Sequence, residues 1–191
     1  MKKIPLLAFA LLAVPTLAHA HAGHSHSGGF APGLLHPIYG LDHLLAMLAI
    51  GLWATQLGGR ALWATPVAFL SAIALGGLLG ANGLALPLIE PGILASVLTL
   101  GLLLAFAVRL PLVATLLLVG FFGLFHGSAH AVEMPAGASA LPYAGGFLLT
   151  TGAITCGAIV LGSAISRFAT IKALRPLGAS IAIAGAALVF L

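Results

Sequence analysis

The sequence contains very little charge. Of its 191 residues, seven are Lys or Arg and three are Asp or Glu, so 5% are charged while 61% are hydrophobic. A water-soluble domain exposes far more charge than this, and so apolar a composition is typical of a protein in a lipid bilayer. The seven cations are scattered along the chain and form no basic patch. Nucleic acid is therefore not expected as a partner.

Cysteine is nearly absent as well. Cys156 is the single cysteine, which excludes an intramolecular disulfide. It lies in an apolar stretch and is expected to be a small packing residue. The sequence also lacks a phosphate-binding loop of the G-x-x-x-x-G-K-[ST] type, so no site for ATP is expected.

The first twenty residues have the pattern of a signal peptide. Lys2 and Lys3 precede an apolar run, which ends at the small-residue site Ala18-His19-Ala20. We expect a cleavable secretory signal over residues 1–20. The alternative is an uncleaved first membrane helix, and in either case the segment after Ala20 is exported.

The exported segment, residues 21–33, is rich in glycine, serine and histidine and is predicted to be flexible. His21, His24 and His26 form a short tract that would capture divalent metal ions loosely through imidazole. The alternative is an exposed polar linker without a binding role.

Six apolar segments follow, each near the ~20 residues that a membrane-spanning helix needs. They cover residues 34–56, 61–80, 92–108, 111–131, 141–165 and 173–191. Lipid offers no hydrogen-bond partners to the backbone, so these segments must be helical. The sequence therefore predicts an all-α membrane protein with a six-helix bundle over residues 34–191. Two inverted three-helix repeats, led by the first and fourth helices, are compatible with this plan.

The distribution of charge predicts an orientation in the inner (plasma) membrane. With the mature N-terminus outside, all five cations that remain after signal removal fall in inner loops, as the positive-inside rule requires. These cations are Arg60, Arg109, Arg167, Lys172 and Arg175. Glu90 and Glu133 then fall in outer loops, Glu90 away from the histidine-containing motifs, and the C-terminus is also external.

Two short stretches place ionisable residues at membrane depth. The stretch HPIYGLDH contains His36, Asp42 and His43, and the stretch FHGSAHAVE contains His126, His130 and Glu133. Ionisable groups in membrane helices are costly, which makes them candidates for function. In the predicted topology the four histidines all lie toward the external side. A structural alternative is a single buried pair between Asp42 and one histidine.

The spacing of these residues is informative about metal binding. His126 and His130 are four residues apart and share one helical face, as in helical dihistidine metal sites. His36 and His43 are seven apart, and a straight helix rises about 10.5 Å over that interval, too far for one ion. Pro37 favours an extended residue before it, so His36 either bends back or is the first stop of a relay. Asp42 is expected to be a ligand or to orient an imidazole.

The stretches HPIYGLDHLLAMLAIGLWA and FHGSAHAVE resemble the HupE/UreJ family of hydrogenase and urease accessory proteins. Members of that family are similar to nickel/cobalt permeases, whose related signature is His-x4-Asp-His where this chain has His-x5-Asp-His. The resemblance in sequence runs from about residue 30 to the end. The overall plan of a signal peptide followed by six helices also resembles that of the family. It implies metal binding along an uptake path by His36, Asp42, His43, His126 and His130, with Glu133 as a weaker candidate.

The expected function is uptake of a divalent transition-metal ion, nickel first and cobalt next, for the maturation of a metalloenzyme such as hydrogenase or urease. Imidazole and carboxylate ligands suit Ni²⁺, Co²⁺ or Zn²⁺. No enzymatic activity and no prosthetic group are expected, and a homo-oligomer is left open. The alternatives are an intramembrane zinc metallohydrolase, a bis-histidine haem protein and a structural chaperone subunit.

Overall fold

The structure, a computed structural model, describes residues 29–190, and all regular elements in this range are helical. The α-helices are α1 (Phe30–Tyr39), α2 (Leu41–Leu57), α3 (Ala61–Ala81), α4 (Ile89–Ala105), α5 (Leu112–Val132), α6 (Ala140–Phe168) and α7 (Arg175–Leu188), with a short 3₁₀ helix at Ile171–Leu174. The all-α prediction is confirmed for these residues. The predicted signal peptide and the tract of His21, His24 and His26 lie outside the described residues.

Several helices are long and apolar enough to cross a bilayer. Among residues 29–190 these are α3, α5, α6 and the continuous stretch Ile171–Leu188. A fifth span results if the bent pair α1 and α2 is taken as one crossing, and α4 is apolar but has only 17 residues. The chain therefore has the architecture of a multi-pass membrane protein.

The first predicted helix is not continuous, which corrects the sequence prediction. Helix α1 begins four residues earlier than expected, and α2 leaves it at an angle of 80°. The break lies at Gly40, with φ −81° and ψ 103°. Pro37 is helical and lies within the last turn of α1. Because proline has no backbone N–H, the hydrogen bond from residue 37 to the Gly33 carbonyl is missing, and this weakens the last turn. His36 also lies within α1 and is helical, not extended as predicted.

Helix α2 is the central helix of the bundle. Ala46, Ile50 and Trp53 have no exposed surface. Near the end of α2 the Trp53 indole donates a hydrogen bond to the Val108 carbonyl at 3.0 Å, and the Gln56 amide donates to the Leu104 carbonyl at 3.2 Å. These bonds fix the C-terminal end of α2 against the end of α4, opposite the end at which its first turn lies.

Small residues allow neighbouring helices to approach at backbone distance. A Cβ at Gly127 of α5 would overlap the Ile73 carbonyl of α3, and a Cβ at Gly101 of α4 would lie 2.6 Å from the Ala182 nitrogen of α7. Such contacts between small residues stabilise membrane bundles, where lipid and apolar side chains are equally hydrophobic. The close α3–α5 contact brings the histidine-bearing part of α5 into the bundle.

Cys156 does not pack in the interior, contrary to the prediction. It is exposed on the outer face of α6, next to the buried Thr155. An apolar stretch in a membrane helix has the same composition on its lipid-facing and bundle-facing sides, so composition alone could not place this residue.

Candidate metal-binding site

The four histidines of the two motifs lie together at one end of the bundle. The ring centroid of His43 is 4.8 Å from those of both His126 and His130. The ring of His36 is 4.9 Å from that of His130 and 6.1 Å from that of His43. The bend at Gly40 replaces the long separation that a straight helix would impose between His36 and His43. We call these four residues the histidine cluster.

The members of the histidine cluster differ in burial. His43 is in the first turn of α2, and His126 and His130 are one turn apart near the end of α5; all three are buried. His36 comes from α1, which packs on α6, and its side chain is 26% exposed. Thr150 of α6 donates a hydrogen bond to the Leu34 carbonyl at 2.8 Å and so holds α1 in place. The cluster therefore runs from a partly exposed imidazole to buried ones.

Asp42 orients the imidazole of His43. Its Oδ1 accepts hydrogen bonds from the His43 backbone N–H at 2.7 Å and from His43 Nδ1 at 2.9 Å. Since a carboxylate only accepts, Nδ1 of His43 carries the hydrogen and the lone pair lies on Nε2. That Nε2 is buried without a hydrogen-bond partner. This is the arrangement of a carboxylate that orients a metal-binding histidine from behind.

Glu133 pairs with His36 and not with the two histidines of the preceding helix α5. The Oε2 of Glu133 lies 2.8 Å from Nε2 of His36, and the two side chains are 38% and 26% exposed. Glu133 directly follows α5, while His36 comes from α1. The pair therefore joins the two motifs at the exposed side of the histidine cluster.

Aromatic side chains enclose the buried side of the cluster. The Phe147 ring stacks on His130 at 4.4 Å, with 20° between the ring planes. Phe69 of α3 contacts His126 edge to face at 5.5 Å, and Tyr143 lies 5.9 Å from His36. Apolar walls of this kind exclude water and strengthen electrostatic interactions inside the site.

Two further polar residues near the cluster were not assigned to the site from the sequence. Glu90 is not in a loop away from the motifs, as predicted, but in the first turn of α4, where it lines a surface cavity of about 410 Å³ together with Glu133. An acidic residue followed by Pro91 is a helix-start signal that could have located it. Ser96, also on α4, lies 3.0 Å from His126. A single serine in an apolar helix has no sequence feature that would have indicated its contact with a histidine.

The described part of the chain contains no three His, Cys, Asp or Glu side chains arranged to hold one metal ion. The rings of His36 and His130 meet at 72°, and those of His43 and His126 at 87°, so ring edges face ring planes. Two ring nitrogens, Nε2 of His43 and Nδ1 of His130, are buried and free of hydrogen bonds. Rotation of the side chains would be needed to direct several nitrogens at one ion.

Comparison with known proteins gives one consistent relationship. A model of the HupE / UreJ protein family matches residues 9–188, a range that contains both motifs. The chain is 44% identical over 181 residues to a protein of Rhizobium leguminosarum bv. viciae called Protein HupE, and the alignment covers 94% of this chain and 93% of that protein. No solved structure matches the chain.

Proposed function

This chain belongs to the HupE/UreJ family, and on that premise we propose that it is a membrane permease for a divalent transition-metal ion, with nickel as the first candidate and cobalt as the second. Proteins of this family are accessory or transport proteins and not enzymes. The imported ion would supply maturation of a metalloenzyme such as hydrogenase or urease. The observation that carries the proposal is the histidine cluster inside an otherwise apolar bundle.

The charges around the cluster support a cationic substrate. The sequence has three acidic residues, and all of them lie at the cluster end of the bundle. They are Asp42 beside His43, Glu133 beside His36, and Glu90 in the cavity shared with Glu133. A divalent ion that leaves water for a membrane site needs compensating negative charge, which neutral imidazoles do not supply. The mixed imidazole and carboxylate set suits Ni²⁺ and Co²⁺.

The gradient of burial suggests an order of events. The ion would first meet the partly exposed pair of His36 and Glu133 and would then pass to the buried imidazoles of His43, His126 and His130. Inward movement of two charges gains about 4.6 kcal/mol per 100 mV of membrane potential, at ~2.3 kcal/mol for each charge. The membrane potential could therefore drive accumulation without ATP.

The proposed orientation places the histidine cluster on the external side. The cations lie at the opposite end of the bundle, where Arg175 donates a hydrogen bond to the Ala105 carbonyl at the end of α4. With cations inside, six crossings result if the bent pair α1 and α2 and the short α4 each cross once. A cleaved signal over residues 1–20, an external His-rich tract for metal capture, external termini in the inner membrane and two inverted repeats complete this proposal.

The direct test is uptake of radioactive nickel and cobalt by cells that express the protein. We expect His43→Ala to abolish uptake because it removes a buried imidazole. Cys156→Ser is the matched control, since Cys156 lies on the outer face of α6 away from the cluster. Immunoblots of membranes must show equal amounts of each protein. Wild-type uptake by an inserted His43→Ala protein would contradict the proposal.

A further inference from the structure

Ser96 lies directly behind one imidazole of the histidine cluster. It is on α4, has no exposed surface, and its Oγ is 3.0 Å from Nε2 of His126, which is also buried. The same Oγ is 2.6 Å from the carbonyl oxygen of Ile93, one turn earlier in α4. The Ser96 hydroxyl therefore has two polar neighbours, and it has a single hydrogen to share between them.

The two distances decide where that hydrogen lies. A carbonyl oxygen can only accept, so the 2.6 Å contact with Ile93 requires the hydroxyl hydrogen of Ser96. Ser96 Oγ must then accept in its other contact, and the only available donor there is an N–H at Nε2 of His126. A neutral imidazole protonated at Nε2 has its lone pair at Nδ1.

We infer that Ser96 is a positioning residue that holds His126 as the Nε2–H tautomer and thereby makes Nδ1 its metal-binding nitrogen. The assignment of a metal rests on the proposed function, whereas the tautomer rests on the hydrogen bonds alone. A ligand whose lone pair is fixed in advance needs no proton rearrangement when the ion arrives, which is the usual contribution of a group behind a metal-binding histidine.

The neighbouring imidazole is held in the opposite way. Asp42 accepts from Nδ1 of His43 and leaves the lone pair on Nε2. The rings of His43 and His126 are 4.8 Å apart and nearly perpendicular, at 87°. The two adjacent histidines thus have their lone pairs on different ring nitrogens. The acceptor that determines this is Asp42 of α2 for His43 and Ser96 of α4 for His126.

The tautomer can be measured without any metal or transport. We would label the full-length protein with ¹⁵N-histidine, reconstitute it in lipid, remove metal with a chelator and record solid-state NMR spectra. The His126 signals are assigned by their loss in His126→Gln. We expect wild type to show protonated Nε2 and unprotonated Nδ1, and Ser96→Ala to show a mixture of tautomers. Protonated Nδ1 in the wild type, or an unchanged tautomer in Ser96→Ala, would overturn the inference.

Nickel affinity of the same preparations gives a second readout. Ser96→Ala is expected to weaken binding by roughly 10-fold, within the 10–100-fold range typical of residues that support a ligand. Ser96→Thr keeps the hydroxyl and should restore both tautomer and affinity. Thr155→Val is the matched control, because it removes a buried hydroxyl that has no hydrogen-bond partner. A wild-type protein with the expected tautomer but no nickel binding would contradict the proposed function and support the tautomer assignment.

Discussion

Asp42 combines two properties that a single substitution can separate. Its Oδ1 orients His43 through two hydrogen bonds, and its negative charge is partly buried next to the imidazoles, with the side chain 21% exposed. An asparagine keeps a similar size and an acceptor oxygen at this position but has no charge. Substitution of Asp42 by asparagine therefore tests whether the cluster needs the carboxylate for geometry or for charge compensation.

We expect Asp42→Asn to lose most nickel uptake while the protein stays inserted and abundant. The physical reason is that neutral imidazoles do not compensate a divalent ion that has left water. Uptake of radioactive nickel at equal membrane abundance measures this. An Asp42→Asn protein with the normal rate would show that the carboxylate is only a structural partner, and HPIYGLDH would no longer indicate a metal site.

Individual residues of the site were predictable to different degrees. The histidines were found because ionisable side chains are rare at membrane depth and therefore stand out. Ser96 was not found, since serine is common among the small residues of membrane helices and only its contact with His126 distinguishes it. Glu90 was misplaced because a Pro- and Gly-rich sequence surrounds it, although it lies in the first turn of α4.

At the scale of helices, the lengths and boundaries of the helices were predictable, and the bend between α1 and α2 was not. Apolar runs bounded by Gly and Pro located α3 to α6 within a few residues, because the bilayer sets the length of such runs. The break between α1 and α2 falls inside the segment predicted as one helix, residues 34–56, close to Pro37 and Gly40. Hydropathy does not indicate the direction of a helix axis. Only the structure therefore shows that the axis turns by 80° between α1 and α2.

We expect Gly40→Ala to reduce uptake several-fold without loss of protein. The backbone angles of Gly40 are open to alanine, so strain is not the reason. A Cβ would instead lie 3.1 Å from both Asp42 Oδ1 and His43 Nδ1 and would press on their hydrogen bond. Gly157→Ala is the matched control, because a Cβ there meets nothing within 4 Å. Equal nickel uptake by the two variants would argue against this role of Gly40.

The contact between α4 and α7 gives a prediction on stability. A Cβ at Gly101 would lie 2.6 Å from the backbone nitrogen of Ala182, and backbone cannot move aside as a flexible side chain does. Gly101→Ala should therefore separate the helices and destabilise the protein by about 1–3 kcal/mol, as overpacking does. Thermal unfolding in detergent measures the effect, with Gly120→Ala as the open-space control. An unchanged melting temperature in Gly101→Ala would be inconsistent with this packing.

At the scale of the whole molecule, charge is divided between the two ends of the bundle. The acidic residues and the histidine cluster lie at one end, and the described cations lie near the other, as Arg175 does beside the end of α4. This division was predictable, because the positive-inside rule uses only the loop positions of Lys and Arg. Convergence of the rings required the structure, since it depends on how α1, α2 and α5 cross.

The same division predicts which end is accessible from outside the cell. In a Cys156→Ser background, Ala136→Cys probes the connection between α5 and α6 at the cluster end, and Ala169→Cys probes the connection after α6 at the cationic end. Both positions are exposed, and neither is a glycine with positive φ, so cysteine is tolerated at each. An impermeant maleimide should label Ala136→Cys in intact spheroplasts and Ala169→Cys only after the membrane is opened. The reverse pattern would place the histidine cluster on the cytoplasmic side, and the partly exposed pair of His36 and Glu133 would then be an exit and not the point where the ion enters.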